Sequence, residues 1–385
     1  MVCVMDHTPR YAEFFCGGGM VRAALQENWH CVLANDIDEM KCRVYRENWS
    51  GTGLFEGDVA SLDPEFLKQD IDLYWASSPC QDFSLAGKGL GLEGARSGVF
   101  KPWFEKVRAA VKAGFAPRVI AFENVTGLMS RRAGKDLDHV LRSFISLGYK
   151  VGALEIDASH FVPQSRPRLF IIAVRRDIDA TTLCQPQARG LFCSPRLVRF
   201  HGACSRVIQK NWMWFRVPSP TTSPQSLENV LDTDPDTPWF SDEHVASLLS
   251  MMSSPSLGRI EAAKATNRTV VGTLYKRGRP DAAGQVRQRA EVRFDGIAGC
   301  LRTPAGGSSR QTILIVHGDK IEARLLSRLE VSRLMGLPAT YRMPARYNDA
   351  YRLAGDGVVV PIVRYLDEHI FQPILLKRLV EREVA

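Results

Sequence analysis

Residues 11–38 have the sequence YAEFFCGGGMVRAALQENWHCVLANDID, in which a glycine-rich turn separates two apolar runs. The run at residues 11–15 predicts a β-strand, residues 21–29 predict a helix, and residues 31–36 predict a second strand. A strand, a tight turn, a helix and a returning strand form the first β-α-β unit of a parallel sheet. This stretch therefore favours an α/β protein.

The same alternation of short apolar runs and longer amphipathic segments continues to residue 174. Because alternating strands and helices form layered α/β folds, we predict a mostly parallel sheet covered by helices on both faces. The later predicted strands span residues 73–76, 119–123, 151–156 and 169–174, and the helices span residues 39–49, 100–114 and 136–148.

The pattern changes after residue 180. Residues 181–310 are predicted to be irregular, with a loop rich in Pro, Ser, Thr and Asp at 217–238 and a short helix at 242–252. Helical patterns return at 326–335 and 358–371. We therefore predict an α/β domain at residues 1–180, an insertion at 181–310, and a return to the first domain at 311–385.

The chain has 385 residues and a net charge of +8, and the positive charge is concentrated in one segment. Residues 251–310 hold 11 Lys and Arg against 4 Asp and Glu. Such a block is typical of a surface that binds a polyanion, nucleic acid first, although a solvated basic face without a partner is the alternative.

Cysteine usage and hydropathy indicate where the protein works. The nine cysteines show no close pairing, which favours a reducing intracellular compartment over a disulfide framework. No apolar run is long enough to span a bilayer, and residues 1–10 do not resemble a signal peptide. We expect an intracellular, cytoplasmic protein with no membrane partner.

The glycine turn and two later carboxylates suggest a cofactor. Gly17, Gly18 and Gly19 allow a tight turn and close approach of a ligand, and Asp36 follows Gly17 by nineteen residues at the end of a strand. Asp58 follows a third possible strand. This arrangement favours an adenosine-containing cofactor, although a tight turn without a ligand remains open; the absent G-x-G-x-x-G counts against NAD.

A thiol, a carboxylate and two arginines follow or precede other predicted strands. Cys80 follows the strand at 73–76, Glu123 ends the strand at 119–123, and Arg166 and Arg168 come just before the strand at 169–174. A nucleophilic thiol, a proton donor and an anion-holding guanidinium are compatible with covalent catalysis. Singly, each has a plainer interpretation: an inert buried cysteine, a surface carboxylate, or salt-bridge partners.

Together these motifs resemble those of the C5-cytosine DNA methyltransferases of bacteria and phages. The matching segments, spread over most of the chain, are FCGGG at 15–19, NDID at 35–38, GDV at 57–59, PCQ at 79–81, ENV at 123–125, Q-x-R-x-R at 164–168, EVSRLMGLP at 330–338 and GDGVVVP at 355–361. Only residues 181–300 lack family motifs, and the family's target recognition domain lies at that position.

The resemblance implies a Rossmann-like fold, S-adenosylmethionine as cofactor, and a covalent mechanism. Cys80 would add to C6 of a flipped cytosine, Glu123 would support N3, and Arg168 with Arg166 would hold O2. The residues expected at the cofactor are Phe15, Cys16, Gly17, Gly18, Gly19, Asp36, Ile37, Asp58, Val59, Pro79, Val99, Asp356 and Gly357.

The resemblance also implies double-stranded DNA as the partner of a monomer, with a cognate restriction endonuclease as a further expected partner. The residues expected to contact DNA are Gln81, Ser84, Lys88, Arg96, Arg277, Arg279, Arg289, Arg302, Ser308, Arg310 and Gln311. A transfer-RNA cytosine methyltransferase and an inactive DNA-binding relative are the alternatives.

Three positions depart from the family pattern, and a metal site is not expected. Glu13 stands where the first motif usually has Asp, Asp36 replaces the usual Glu, and Asp356 stands where the tenth motif usually has Asn. The spacing of Cys184, Cys193, His201 and Cys204 fits no usual zinc pattern.

Overall fold

The computed structural model describes residues 8–79, 97–221, 225–280, 284–303 and 309–376. The strands are β1 Arg10–Phe14, β2 His30–Asp36, β3 Leu54–Glu56, β4 Leu73–Ser77, β5 Val119–Val125, β6 Tyr149–Asp157, β7 Pro167–Arg175, β8 Cys184–Gln185, β9 Trp214–Phe215, β10 Val270–Pro280, β11 Val286–Arg293, β12 Thr312–His317 and β13 Lys320–Leu325.

The helices alternate with the strands in the first half of the chain and cluster in the second. They are α1 Met20–Leu25, α2 Glu39–Trp49, α3 Phe100–Lys112, α4 Lys135–Ser146, α5 Pro195–Ala203, α6 Arg206–Lys210, α7 Asp242–Ser250, α8 Ser254–Ala265, α9 Arg328–Leu334, α10 Tyr347–Asp356 and α11 Val360–Leu366. A π-helical turn, Asp367–Phe371, continues α11.

Seven strands form a sheet in the order β3-β2-β1-β4-β5-β7-β6, which confirms the predicted mostly parallel α/β fold. The pairs from β3 to β5 are parallel, whereas β7 runs antiparallel to β5. The order reverses on either side of β1 and β4, and the carboxyl ends of strands at such a switch point form the usual ligand crevice of open sheets.

Alternation along the central strands divides their side chains between two apolar layers. On one side of the sheet, Phe14 of β1 packs against Tyr74 of β4 and against Trp103 of α3. Trp75, the neighbour of Tyr74, packs against Phe170 and Phe371 on the other side. All six aromatic side chains are buried. Because truncation of a buried Phe or Trp typically costs about 3–5 kcal/mol, these layers fix the sheet that positions the site.

The chain divides into two compact units whose limits differ from the predicted ones. The first unit contains residues 1–156, 167–221 and 360–385, and the second contains residues 157–166 and 222–359. Apart from residues 157–166, the second unit begins at residue 222, about forty residues after position 181, and it extends to residue 359, well beyond 310.

The prediction that residues 181–310 are irregular was wrong. The second unit contains an antiparallel sheet in the order β11-β10-β12-β13, covered on one face by α7 and α8 through Leu248, Ile260, Leu274 and Val316. The error has a physical cause: β10 and β11 place arginines at alternate positions, so their apolar content is too low to suggest strands. In the described part of the chain, no helix is long and apolar enough to cross a membrane.

Candidate active site

Two of the predicted catalytic residues, Glu123 and Arg168, meet where β5 ends and the antiparallel strand β7 begins. Ser77 of β4 is aligned with Glu123 of β5, and Arg168 of β7 is aligned with Val125. Side chains two residues apart on a strand share a face, so Arg168 lies on the same side of the sheet as Glu123. The strand register therefore produces the pairing of these two residues.

Glu123 and Arg168 form an ion pair that is largely shielded from water. Arg168 Nε lies 3.2 Å from Glu123 Oε1, and the two side chains are 13% and 9% exposed. Arg168 also donates from one terminal nitrogen to the carbonyl of Pro167. A guanidinium carries five N–H donors in a rigid fork, so the same group can orient a carboxylate and bind a further acceptor.

Asn124 connects this pair to the strand end that leads into Cys80. Its side-chain amide donates to the carbonyl of Ser78 at 3.3 Å, and its oxygen accepts from the backbone N–H of Val125 at 2.9 Å. Asn124 is 1% exposed, so these bonds are shielded from water. Its role was not predicted, although it lies within the ENV motif. Cys80, Gln81, Ser84, Lys88 and Arg96 lie outside the described residues.

The glycine turn after β1 has the backbone conformation that its sequence predicts. Gly17 and Gly19 have φ of 56° and 77°, and Phe15, with φ of 58°, also adopts a left-handed conformation. A Cβ on Gly19 would lie 2.3 Å from the indole nitrogen of Trp49, whereas a Cβ on Gly17 would meet no atom of the described residues within 4 Å. The turn is therefore packed behind Gly19 and open in front of Gly17.

Trp49, at the end of α2, is a support of this turn that sequence reasoning missed. Its indole N–H donates to the carbonyl of Gly18 at 3.1 Å. The Arg22 guanidinium lies over the rings of both Tyr45 and Trp49 and donates to the Tyr45 hydroxyl at 2.8 Å. The sequence signal that could have indicated a bulky neighbour is the third consecutive glycine, Gly19, because a side chain there would meet Trp49.

Asp36 holds the turn from the end of β2. One carboxylate oxygen accepts from the N–H of Gly17 at 2.8 Å and the other accepts from the N–H of Asp38 at 2.9 Å. Asp36 is 7% exposed, whereas the next residue, Ile37, exposes 68% of its surface. An open glycine backbone, a carboxylate and an exposed apolar side chain at one sheet edge suit a nucleoside ligand.

The other predicted cofactor residues of this unit lie on the following loops. Asp58 is exposed and accepts from the N–H of Ala60 at 2.9 Å, while Val59 is buried. Pro79 is exposed after β4, and Val99 is half-buried at the start of α3. These positions are compatible with cofactor binding, which remains a prediction for these residues.

Burial changes the acid–base properties of two groups beside the turn. Burial raises the pKa of Glu13 well above its usual range, an effect that Arg22 opposes and Asp36 reinforces. Burial, followed by the charge of Glu13, also raises the pKa of the Cys16 thiol well above its usual range. Among the described residues Glu13 Oε2 has no hydrogen-bond partner, and burial favours the protonated form of this carboxyl.

Arg166, two residues before Arg168 in sequence, has a different environment within the second unit. Its guanidinium donates to the carbonyls of Leu301, Gly355 and Gly357 at 2.8, 2.8 and 2.7 Å, and it is 2% exposed. These contacts connect residue 301 to the segment after α10. The expected contact with a substrate carbonyl remains a prediction, and the observed partners are backbone groups of the protein.

The other predicted cofactor residues, Asp356 and Gly357, end α10 in the second unit. The Asp356 carboxylate accepts a hydrogen bond from the hydroxyl of Thr303. A Cβ on the preceding Gly355 would lie 2.7 Å from the Thr303 nitrogen, which explains the glycine. Asp356 is therefore bound to the protein's own hydroxyl in this structure.

The predicted DNA-contacting residues of the second unit differ in exposure. Arg277, Arg279 and Arg302 are exposed, and Arg289 is half-buried. Gln311 is only 4% exposed and its side chain abuts Gly299, so in this structure it is a packing residue rather than an accessible reader of bases.

Arg310 and Ser308 complete the predicted recognition loop. Arg310 lies over the Tyr347 ring at 5.6 Å and donates to the side-chain oxygen of Asn348. Ser308 lies outside the described residues.

The cysteines considered for zinc have other contacts. The Cys204 thiol donates to the carbonyl of Phe200, and the His201 ring packs against Trp212 and Trp214 at 4.9 and 4.8 Å. Within the described ranges, no group of three or more His, Cys, Asp or Glu is arranged to hold a metal ion.

Comparison with known proteins identifies relatives along nearly the whole chain. The model of the family described as C-5 cytosine-specific DNA methylase matches residues 10–372. The type II methyltransferase M.HhaI of Haemophilus parahaemolyticus is 26% identical over 365 residues, which cover 94% of this chain and 94% of that protein. The type II methyltransferase M.Eco47II of Escherichia coli is 37% identical over 169 residues, 43% of this chain. That match spans 39% of M.Eco47II, so it covers well under half of the relative's length.

Solved structures agree on the fold. The S. pombe Dnmt2 methyltransferase has a TM-score of 0.60 and 18% identity, covering 95% of this chain and 99% of that chain. The Entamoeba histolytica methyltransferase EhMeth has a TM-score of 0.64 and 12% identity, covering 96% and 99%. The expected methyltransferase fold is thereby confirmed. Since the family model covers most of the sequence, the chain belongs to the C-5 cytosine-specific DNA methylase family.

Proposed function

We propose that this protein is a DNA cytosine-C5 methyltransferase that modifies a cytosine within a specific duplex sequence, with S-adenosylmethionine as cofactor. The observation that carries the proposal is the buried Glu123–Arg168 pair, at 3.2 Å, beside the strand end that leads into Cys80. A carboxylate and a guanidinium fixed on adjacent strands can contact neighbouring atoms of one planar base. Family membership supports the same chemistry.

Cys80 supplies the nucleophile in this mechanism. Its thiolate adds to C6 of the cytosine, which makes C5 an enamine-like carbon able to accept a methyl group. The cofactor, when bound, supplies that methyl group from its sulfonium. Loss of the C5 proton to a base then allows the C6–S bond to break, which restores the aromatic ring and the free thiolate. The target base must leave the duplex for this chemistry, because its reacting atoms are inaccessible in the stack.

Glu123 and Arg168 stabilise the ring during attack. A proton shared between the Glu123 carboxylate and cytosine N3 withdraws electrons from C6, and it returns when the thiolate leaves. Arg168 holds the carboxylate through Nε and donates to O2, where negative charge accumulates. Asn124 attaches the carbonyl of Ser78, two residues before Cys80 in the sequence, to β5.

The cofactor would be held by the carboxyl edge of β1, β2 and β3. The open backbone at Gly17 allows close approach, Asp36 offers a carboxylate to ribose hydroxyls, and Ile37 offers an apolar surface to adenine. Both Asp36 oxygens already accept backbone N–H groups, but each has a second lone pair available for a hydroxyl. The first unit thus has the residue types that this cofactor requires.

The proposal is tested by methyl transfer from radiolabelled S-adenosylmethionine to duplex DNA of diverse sequence, with transfer RNA as the competing substrate. We expect label in DNA only, recovered as 5-methylcytosine at one short sequence. Label confined to transfer RNA would replace the substrate in our proposal, and binding of DNA without any label would favour an inactive relative.

A further inference from the structure

One face of the ribbon formed by β10 and β11 carries a ladder of arginines. Arg277 is aligned with Arg289 and Arg279 with Arg287, while Tyr275 is aligned with Glu291. Residues directly opposite each other in an antiparallel pair lie on the same face. Arg293, aligned with Thr273, lies on the same face, which therefore carries five guanidinium groups and one carboxylate among the described residues of the two strands.

The opposite face of the ribbon is apolar near its base. Leu274, Ala290 and Val292 are buried against the helices of the second unit, so the fold fixes which side of the ribbon is outward. Like charges directly opposite one another on a sheet are destabilising. Packing of the unit gives no reason for two such pairs, whereas binding to a polyanion would compensate for their repulsion.

Glu291 occupies two of these arginines. Arg277 Nε lies 2.7 Å from Glu291 Oε1 and its terminal nitrogen lies 2.7 Å from Oε2, so the pair is bidentate. Arg279 Nε lies 3.1 Å from the same Oε1. The Tyr275 hydroxyl donates to Oε2 at 2.5 Å, and the Arg277 guanidinium lies 5.4 Å from the Tyr275 ring centre.

We infer that Glu291 is a built-in competitor of the DNA backbone for Arg277 and Arg279. A carboxylate and a phosphate present the same pair of oxygens to a guanidinium fork, so only one of them can occupy that edge. A DNA phosphate that binds these arginines through the same edges must displace Glu291. This inference rests on the proposed function and assigns a role in DNA discrimination to a residue outside the reaction chemistry.

The consequence is weaker binding to DNA of arbitrary sequence. Backbone contacts are independent of sequence and supply most of the affinity for non-specific sites. Contact of Arg277 and Arg279 with the DNA backbone requires loss of their ion pairs with Glu291. The two arginines therefore remain bound to Glu291 unless further contacts, made only at the correct sequence, compensate for that loss. Glu291 thereby lowers residence on non-specific DNA and increases the relative preference for the target site.

The test measures dissociation constants for a labelled duplex of arbitrary sequence from 50 to 300 mM salt, by fluorescence anisotropy. We expect Glu291→Gln to bind about tenfold more tightly at low salt and to steepen the log–log salt dependence by about two units, as two further phosphate contacts would. The matched control is Glu322→Gln, in the same sheet on β13, where Glu322 pairs with Lys320 at 2.9 Å. We expect that control to change affinity less than twofold.

Two further variants separate release of the arginines from a simple change of charge. Glu291→Asp keeps the charge but shortens the reach, so it should also bind more tightly than wild type. Arg277→Gln and Arg279→Gln, added to Glu291→Gln, should abolish the gain. Unchanged or weaker binding by both Glu291 variants, with thermal unfolding like wild type, would overturn the inference.

The same measurements keep the inference distinct from the proposed function. A wild-type protein that methylates DNA while Glu291→Gln binds like wild type contradicts the competitor role alone. A wild-type protein that labels no DNA contradicts the proposed function, whatever the Glu291 variants do. Tighter binding of Glu291→Gln together with reduced preference for the methylated sequence supports both.

Discussion

The Glu123–Arg168 pair and the arginine face of the β10–β11 ribbon are both made of carboxylates and guanidinium groups, yet they differ in burial. The first pair is 9% and 13% exposed, whereas Arg277 and Arg279 are 42% and 49% exposed. Breaking a buried pair leaves an uncompensated charge, whereas an exposed pair contributes little to stability. The difference suggests that burial fixes one set for chemistry and exposure keeps the other exchangeable for a ligand.

The largest effect is expected at the catalytic pair. Glu123→Gln removes the shared proton at N3 and should lower kcat by roughly 10²–10⁴-fold, the usual contribution of general acid–base catalysis. Glu105→Gln, on the exposed side of α3, is the matched control and should leave kcat unchanged. Single-turnover methylation, with DNA affinity measured in parallel, separates the chemical step from binding; full activity of Glu123→Gln would contradict its role.

The two arginines of the Q-x-R-x-R motif should respond differently to the same substitution. Arg168→Lys loses the rigid fork beside Glu123, so activity should fall about 100-fold while stability changes little. Arg166→Lys cannot satisfy three carbonyls in the same geometry, so the free energy of unfolding should fall by about 2–3 kcal/mol. Urea denaturation and steady-state kinetics of the two variants measure this difference. Equal losses of unfolding free energy would contradict the separate roles of Arg166 and Arg168.

The glycine turn offers a smaller contrast between packing and ligand access. Gly19→Ala places a Cβ against Trp49 in a left-handed conformation and should destabilise the protein by more than about 1–2 kcal/mol. Gly17→Ala has the same left-handed strain, of about 1–2 kcal/mol, but meets no described protein atom, so we expect a smaller loss of stability together with a higher KM for S-adenosylmethionine. Thermal unfolding and cofactor titration distinguish the two outcomes, and an unchanged KM in Gly17→Ala would contradict cofactor binding at this turn.

The smallest effect is a pH dependence that arises from Glu13. Because the pKa of Glu13 is raised in the folded state, the folded protein binds the proton more tightly than the unfolded chain does. Stability from this group is therefore complete below the unfolded pKa of about 4.3 and is lost as pH rises towards the folded value, by at most about 1.4 kcal/mol per pH unit. Glu13→Gln should become more stable relative to wild type as pH increases, measured by urea denaturation between pH 5 and 8. A constant difference would contradict burial of a neutral carboxyl.

Sequence patterns predicted the sheet and its site better than they predicted the second unit. The predicted helix over residues 39–49 matches α2 at both ends, because apolar spacing and the Asp38 cap act locally. Glu123 and Arg168 were predicted because strand ends and motif order determine which side chains meet. The partners of Arg166 and the role of Trp49 were not predictable, since they depend on contacts between residues far apart in the chain. The strands β10 and β11 were missed because their outward face is arginine-rich.

Trapping of a covalent adduct between the protein and DNA is the direct test of whether Cys80 attacks cytosine. The protein is incubated with S-adenosylmethionine and duplex DNA that contains 5-fluorocytosine, and a denaturation-resistant adduct is sought by gel electrophoresis. Fluorine at C5 prevents the proton loss that precedes release of the Cys80 thiolate. We therefore expect a covalent adduct in the wild-type protein and none in Cys80→Ser. Methyl transfer without any adduct, or an adduct that persists in Cys80→Ser, would show that Cys80 is not the nucleophile.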